Sequence, residues 1–233
     1  MMQIMQQSMV SFYRENGFLT FPCFEEGECD SLLTVLKAFT GSDFAPVMNV
    51  DRSVPWVSNN FVKHPFIVSA LEQLQGKEVC ALMSQVIFKK SGTRYAEQAW
   101  NPHQDNSYPK ARPGTYITIN IFLEDADKEN GCLYIYPGSQ KEGLMPFEPK
   151  LSYREKSGDN PGNVVVVPEK YKKVDLVVRK GDILIMCGET IHGSYANKST
   201  RDRPLFSISY VNFGEPFWPG DPTRSDKRVI KLH

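Results

Sequence analysis

TYITINIFLEDADKENGCLYIYPG, residues 115–138, contains two strand-like runs joined by a polar turn, with no helix between them. The first run is rich in Ile and Thr and the second in Tyr, residue types that pleated sheets favour. The Asn130-Gly131 pair between them suits a turn with positive φ, and Pro137-Gly138 ends the second run. Successive strands without an intervening helix indicate antiparallel sheets rather than βαβ units. The stretch therefore predicts an antiparallel β scaffold.

The rest of the chain extends this pattern in both directions. Similar β-type runs are SQVIFKK (84–90), NVVVVPE (163–169), VDLVVRKGDILIMCG (174–188) and PLFSISYVNF (204–213). Upstream, helical spacing of apolar residues predicts helices within residues 5–17, 25–39 and 64–83. We expect one domain over residues 1–233, mainly β with N-terminal helices. Its helical part covers about 1–80 and its sandwich or barrel core about 83–213.

Composition limits the classes of partner. Lys plus Arg and Asp plus Glu number 27 each, so no net field recruits nucleic acid or an anionic membrane. No apolar run reaches the roughly 20 residues that span a bilayer, and the opening residues lack the features of a signal peptide. An odd number of cysteines without a C-x-x-C pair predicts free thiols in a reducing cytoplasm: Cys23, Cys29, Cys80, Cys132 and Cys187.

Three residues form a candidate metal site. His103 and Asp105 stand at i and i+2, so at a strand end both side chains point the same way. His192 follows a distant strand, in the sequence GETIHGS. Two imidazoles and one carboxylate are the ligands of a facial triad for non-haem Fe(II), which leaves three positions open. A His-x-Asp pair alone is common, so the prediction depends on further residues.

Arginines beyond His192 supply that further element. Arg203 lies eleven residues after His192, and Arg201 lies two residues earlier. A dicarboxylate cosubstrate that chelates iron through its 2-oxo acid end needs a cation at its far end, and guanidinium binds carboxylate in a bidentate manner. Strand alternation points both arginines to one face, so parity does not choose between them.

Together these segments resemble the phytanoyl-CoA dioxygenase family. The resemblance rests on HQD (103–105), ENGCLYIYPGSQKEG (129–143), GDILIMCGETIHGS (181–194) and N-x-S-x-x-x-R (197–203), with the opening FYRENGFLTFPCFEEGECDSL also similar. It implies a double-stranded β-helix, the jelly-roll barrel of cupins, and an oxygenase that uses Fe(II), 2-oxoglutarate and O2. It also implies a role for each matched residue: His103, Asp105 and His192 as catalytic iron ligands, and Arg203, Ser194 and Gln85 as contacts of 2-oxoglutarate.

Two positions refine what the resemblance implies. Many family members carry a tryptophan where this chain has Asn120, which replaces a stacking contact by a hydrogen-bonding one. Halogenating relatives replace the ligand Asp by a small residue, so the presence of Asp105 favours hydroxylation. Two alternatives remain: a cupin-type metalloenzyme that does not use 2-oxoglutarate, and a catalytically silent jelly roll that binds sugar or lipid.

The sequence predicts the substrate only by class. Candidate lining residues are polar and aromatic, which favours a small polar metabolite over a long acyl chain: Asn49, Asp51, Arg52, Trp56, Asn59, Tyr108, Lys110 and Trp218. The Gly- and Pro-rich segment 141–170 is long for a loop in a compact domain and is predicted to form a flap over the barrel mouth. We expect a monomer or homodimer.

Overall fold

A computed structural model describes residues 5–42, 44–150, 162–217 and 230–232. Its α-helices are α1 (Gln7–Asn16), α2 (Glu26–Lys37), α3 (Val50–Ser53), α4 (Pro55–Val57) and α5 (Pro65–Gln75). A π-helical turn covers Ser58–Val62, and 3-10 turns cover Asp105–Ser107 and Ser139–Glu142. The longer helices precede the main strands, as the sequence predicted.

Local signals set the ends of these helices. Gly17 adopts a φ of 78° and caps α1, with its N–H donating to the carbonyl of Tyr13 at 2.7 Å. Only glycine adopts this left-handed conformation without steric cost. Glu25 and Glu28 form a capping box at the start of α2. Pro65 opens α5, where its missing N–H costs no hydrogen bond.

The strands form two antiparallel sheets. They are β1 (Phe18–Pro22), β2 (Val47–Met48), β3 (Val79–Lys89), β4 (Trp100–His103), β5 (Tyr116–Phe122), β6 (Leu133–Ile135), β7 (Glu148–Lys150), β8 (Gly162–Val164), β9 (Val174–Asp175), β10 (Asp182–Cys187), β11 (His192–Ser194), β12 (Arg203–Asn212) and β13 (Ile230–Lys231). The seven-stranded sheet has the order β1-β10-β5-β12-β3-β13, with β2 paired to β3. The six-stranded sheet has the order β7-β8-β4-β11-β6-β9.

Alternation of side chains gives the larger sheet two different faces. On β5, Ile117, Ile119 and Ile121 are buried in the main core cluster, which includes residues of the helices. Phe122 faces the other way and packs with Leu205 in a second cluster, which also contains β6 residues of the smaller sheet. The helices therefore cover one face, and the other face lines the interior between the sheets.

The mainly β fold with N-terminal helices is confirmed, and the strand boundaries differ in places. β3 begins at Val79, before the predicted residue 83, because α5 already ends at Gly76 in a left-handed cap. Within the valine-rich run 163–169, only Asn163 and Val164 belong to a strand, β8. The run 174–188 is divided, because Gly181 takes a φ of 87° between β9 and β10.

The predicted flap lies only partly within the described residues. Its first part contains β7 and its last part contains β8, and these two strands pair with each other. β8 also pairs with β4, where Val164 lies opposite His103. Residues 151–161 of the predicted flap lie outside the described residues. Across the described parts of the chain, no helix combines the length and apolar character needed to cross a membrane.

Candidate metal centre

The smaller sheet brings the three predicted ligands together. His103 ends β4 and lies directly opposite His192, the first residue of β11, while Asp105 begins the 3-10 turn that follows β4. One potential ligand atom from each of the three residues lies within 4.8 Å of the others. Asp105 Oδ1 is 3.7 Å from Nε2 of His103 and 3.5 Å from Nε2 of His192. The interior between the sheets thus holds two imidazoles and one carboxylate.

Backbone carbonyls orient both imidazoles. Nδ1 of His103 lies 2.8 Å from the carbonyl oxygen of Asn101, and Nδ1 of His192 lies 3.1 Å from that of Thr190. Because a carbonyl oxygen only accepts, each Nδ1 carries the proton, and each Nε2 presents a lone pair toward Asp105. Burial, together with the neighbouring His192, lowers the pKa of His103 to about 4. The ring is therefore neutral at physiological pH, the form that ligates a metal.

The carboxylate is oriented by Thr118 on the facing sheet. The hydroxyl of Thr118 donates to Asp105 Oδ2 at 2.9 Å, while Oδ1 faces the two histidines. The donor set of two imidazole nitrogens and one carboxylate oxygen fits a divalent iron ion, and its ligands come from one side. Sequence reasoning missed Thr118, although its position on a strand facing the site is readable from alternation.

Two buried cations lie deeper in the barrel. Arg203 is 1% exposed and Lys89 is 0% exposed, and the two residues are directly opposite each other on β12 and β3. Nε of Arg203 donates to the carbonyl of Gly131 at 3.1 Å, whereas its Nη1 has no hydrogen-bond partner in the described part of the chain. Lys89 Nζ donates to Ser194 Oγ at 2.9 Å and to the carbonyl of Tyr195.

Among the described residues, no carboxylate forms an ion pair with Arg203 or Lys89. Burial lowers the pKa of Arg203 to about 10, which leaves the guanidinium charged near neutral pH. Burial and then the charge of Arg203 lower the pKa of Lys89 well below its usual value. An anionic ligand bound beside these two groups would favour their charged forms. Lys89 was not predicted, yet in SQVIFKK it shares strand parity with Gln85, which places it on the interior face.

The structure separates the two arginines that strand parity could not. Arg201 precedes β12, its side chain is 47% exposed, and its Nη2 lies 2.5 Å from Asp127 Oδ2. Arg203 is the buried one. The predicted contact residue Ser194 lies beside Lys89, within the same polar cluster. The geometry thus supports Arg203 as the candidate anion-binding residue.

Gln85 and Asn120 lie in one row of the larger sheet. Ser207 on β12 is directly opposite Gln85 on β3 and Asn120 on β5, so the three side chains share a face. That face also carries Thr118, two residues from Asn120, and therefore borders the interior. The row lies between the cations at the start of β12 and the level of Asp105. Gln85 is thus placed on the wall of the site, although its contact with a cosubstrate stays a prediction.

The predicted lining residues have mixed positions. The Tyr108 hydroxyl accepts a hydrogen bond from the Asn163 N–H at 3.1 Å, so this side chain joins the triad loop to β8. Asp51 is buried and accepts a hydrogen bond from Ser84 on the face of β3 that packs toward the helices. Asp51 therefore does not line the interior. Trp218 lies outside the described residues.

Fold and site together define a jelly-roll protein with the two-histidine, one-carboxylate arrangement of non-haem iron oxygenases. Residues 13–205 match the family described as phytanoyl-CoA dioxygenase (PhyH). The chain belongs to this family, whose cofactor and cosubstrates are Fe(II), 2-oxoglutarate and O2.

Relatives support the same family at moderate identity. The chain is 30% identical over 146 residues to phytanoyl-CoA dioxygenase 1 of Oryza sativa subsp. japonica, covering 63% of this chain and 50% of the relative. It is 32% identical over 143 residues to phytanoyl-CoA dioxygenase of Arabidopsis thaliana, covering 60% and 47%. The match to the peroxisomal phytanoyl-CoA dioxygenase of Bos taurus is 24% over 231 residues, covering 86% and 67%. The chain thus spans about half the length of the two plant relatives.

Solved structures show the same fold at lower identity. The epimerase SnoN, in complex with Fe3+, alpha ketoglutarate and nogalamycin RO, superimposes with a TM-score of 0.75 at 21% identity, covering 94% of this chain and 89% of that one. EvdO2 from Micromonospora carbonacea var. aurantiaca, complexed with 2-oxoglutarate, gives a TM-score of 0.70 at 16% identity, covering 96% and 97%. At these identities the likeness establishes the fold.

Proposed function

We propose that this protein is a dioxygenase that uses Fe(II), 2-oxoglutarate and O2 to hydroxylate a small polar metabolite, releasing succinate and CO2. The observation that carries the proposal is the convergence of His103, Asp105 and His192 within 4.8 Å, above a buried pair of cations. A metal site and an anion site in one interior match a cosubstrate that is a 2-oxo acid at one end and a carboxylate at the other.

Different residues of the chain bind the metal and the cosubstrate. His103, Asp105 and His192 would hold the metal from one side, with Nε2 of each imidazole available because Nδ1 is hydrogen-bonded to a carbonyl oxygen. Arg203 and Lys89 hold the far carboxylate of 2-oxoglutarate, with the Arg203 Nη1 group supplying an unused donor. These donors are buried and held in place before the anion binds, so water does not screen their interaction with it.

Protein groups then control the chemistry that the metal supplies. Bound Fe(II), with 2-oxoglutarate and O2, supplies an oxidant strong enough to attack a C–H bond. The burial of His103 and His192 would limit the access of water to the metal that they would hold. Thr118 keeps the orientation of Asp105 fixed through its hydroxyl. Specificity for the metabolite comes from the loops at the open end of the barrel.

Two alternatives are less consistent with the geometry. A cupin-type metalloenzyme without 2-oxoglutarate does not need Arg203 and Lys89 buried side by side. A silent binding protein for sugar or lipid gains nothing from two Nε2 atoms aimed at one carboxylate. Among oxidative outcomes we propose hydroxylation, since Asp105 occupies the third ligand position. The structural neighbours include an epimerase and a carbocyclase, so the product itself must be measured.

Location and assembly form part of the same proposal. All five cysteines are free thiols, which is the expected state in a reducing cytoplasm. We propose that the enzyme acts there on a diffusible metabolite, as a monomer or homodimer and without nucleic acid or membrane partners.

The test is cosubstrate turnover by anaerobically purified protein. Wild-type protein should contain iron, bind 2-oxoglutarate with a charge-transfer absorption band, and release succinate faster when the correct metabolite from a panel is added. The product should carry one added oxygen atom by mass. His103→Ala should lose iron and turnover together. Wild-type protein that shows neither iron binding nor 2-oxoglutarate binding would exclude the proposal.

A further inference from the structure

Gln104 separates two of the proposed iron ligands in the chain and is fully buried. Its Nε2 donates to the carbonyl of Glu189 at 2.6 Å and to the carbonyl of Gly143 at 2.8 Å. Its Oε1 accepts a hydrogen bond from the Met145 N–H at 2.8 Å. One side-chain amide thus uses both donor hydrogens and its oxygen on main-chain groups from two other segments.

Each of those segments leads to the metal site. Glu189 lies three residues before His192, in the loop that delivers this ligand to β11. Residues 143–145 lead into β7, which pairs with β8, and β8 pairs with β4 at His103. The side chain of Gln104 therefore joins the His103–Asp105 turn, the loop before His192 and the segment entering β7.

A second residue, Asn106, links the His103–Asp105 turn to the loop before His192, but in the described part of the chain it makes no hydrogen bond to residues 143–145. The Asn106 N–H donates to the carbonyl of Gly188 at 2.9 Å, and the Asn106 side chain bonds to the Glu189 carboxylate and to Ala111. Of these two amides, Gln104 alone reaches residues 143–145. Its loss would therefore remove this side-chain link between that segment and the ligand loops, leaving the pairing of β7 with β8 and of β8 with β4. Asn106 would still hold the two loops near each other.

We propose that Gln104 is a positioning residue that couples metal binding to the order of residues 143–148. This inference rests on the proposed function, since it takes the triad to be the metal site. Metal favours the arrangement in which Asp105 and His192 converge, and the same arrangement holds the Gln104 amide against Gly143 and Met145. Such coupling is reciprocal. The factor by which bound metal favours the ordered 143–148 segment equals the factor by which the ordered segment strengthens metal binding.

Two variants separate the parts of the junction. Gln104→Met keeps the length of the side chain and removes all three hydrogen bonds. Gln104→Glu keeps the acceptor for the Met145 N–H but places a carboxylate against the carbonyls of Gly143 and Glu189. With Co(II) as an oxidation-resistant probe, we expect both variants to bind metal about 10- to 100-fold more weakly, the usual effect of losing a group that orients ligands. The visible spectrum of bound Co(II) should also change.

Hydrogen exchange tests the coupling directly. In the wild-type protein, added Co(II) should slow amide exchange in residues 143–148, and most of all at Met145. In Gln104→Met, the Met145 amide should exchange fast with or without Co(II). Gln104→Glu should retain some protection at Met145, since its acceptor remains.

Asn197 supplies a matched control. This buried amide also makes two donations, to the carbonyls of Lys89 at 2.9 Å and Arg201 at 2.7 Å, and accepts from the Ser199 N–H at 2.9 Å. Asn197→Leu and Asn197→Asp therefore remove equivalent hydrogen bonds at a place that holds neither ligand loop. They should lower the thermal midpoint as the Gln104 variants do, yet leave the Co(II) spectrum and the exchange response intact.

The outcomes are distinguishable. If Gln104→Met binds Co(II) as wild type does and keeps the exchange response, the coupling is absent, whatever the change in stability. If Gln104→Met does not fold, the same measurements on Gln104→Glu decide the question. If wild-type protein binds no Co(II), or binds it equally well after His103→Ala, the proposed function itself fails.

Discussion

Replacing Arg203 by Met gives a prediction in which two measurements move in opposite directions. Arg203 is buried beside Lys89, and no described carboxylate forms an ion pair with it. In the absence of cosubstrate, its charge therefore lowers stability. In the presence of cosubstrate, the same charge pairs with the far carboxylate and raises affinity.

The magnitude follows from breaking a buried pair. Removing one partner leaves the carboxylate of 2-oxoglutarate desolvated, which costs about 3 to 5 kcal/mol. That is a loss of about two to four decades in affinity. Met fills most of the volume of Arg, so the empty protein should unfold at the same temperature as wild type or higher. Arg203→Lys should recover part of the affinity, because charge returns without the guanidinium fork.

The assay is an anaerobic titration of the Fe(II) protein with 2-oxoglutarate, followed by charge-transfer absorption, alongside thermal unfolding without cosubstrate. Arg201→Ala is the control, because Arg201 is exposed and pairs with Asp127 at the surface. It should bind 2-oxoglutarate normally, with at most a salt-sensitive change in stability. Normal binding by Arg203→Met, with a loss of binding by Arg201→Ala, would refute the reasoning.

Three further predictions follow from neighbouring contacts. Thr118→Val removes the hydroxyl that orients Asp105 and should weaken metal binding about tenfold in a Co(II) titration; unchanged affinity would remove Thr118 from the site. The folded state lowers the pKa of Lys89, so the unfolded chain binds more protons between that lowered value and about 10.5, and stability should rise with pH there. Urea unfolding of the cosubstrate-free protein should show this rise in wild type relative to Lys89→Met, by at most about 1.4 kcal/mol per pH unit; parallel pH profiles would contradict it. Gly193→Ala should lower the unfolding free energy by about 1 to 3 kcal/mol, because a Cβ there would meet the Trp100 carbonyl and the Tyr134 phenol; wild-type stability in calorimetry would contradict this.

Much of the fold could be predicted because its signals are local. The apolar alternation of residues 116–122 indicates a strand without knowledge of its neighbours, and Gly17 marks a helix end through its own φ. Boundaries were less accurate where pairing decides them. The run 163–169 contains four successive valines, which favour a strand, yet the strand ends at Val164, since only the first residues of the run find partners on β4 and β7.

The site likewise has features that the sequence predicts and features that depend on how the strands pair. Residue type and spacing pointed to His103, Asp105 and His192, but the pairing of His103 with His192 depends on sheet register, which spacing does not give. Strand parity did not distinguish Arg201 from Arg203, whereas the family resemblance implied Arg203. Burial of Arg203 supports that assignment, and the strand starts only at this residue. Lys89 was overlooked because a Lys-Lys pair at a strand end suggests a solvated terminus.

The pairing of β1 with β10 has a consequence for how the molecule is made. About 160 residues separate these two strands in the chain, and β3 is likewise synthesised well before its partner β12. At a synthesis rate of roughly 5 to 20 residues per second, β1 emerges about 8 to 32 s before its partner. A topology with contacts this distant in sequence also folds slowly once complete. The nascent N-terminal part must therefore remain unaggregated without its sheet partners, and the three metal ligands can assemble only after β11 has left the ribosome.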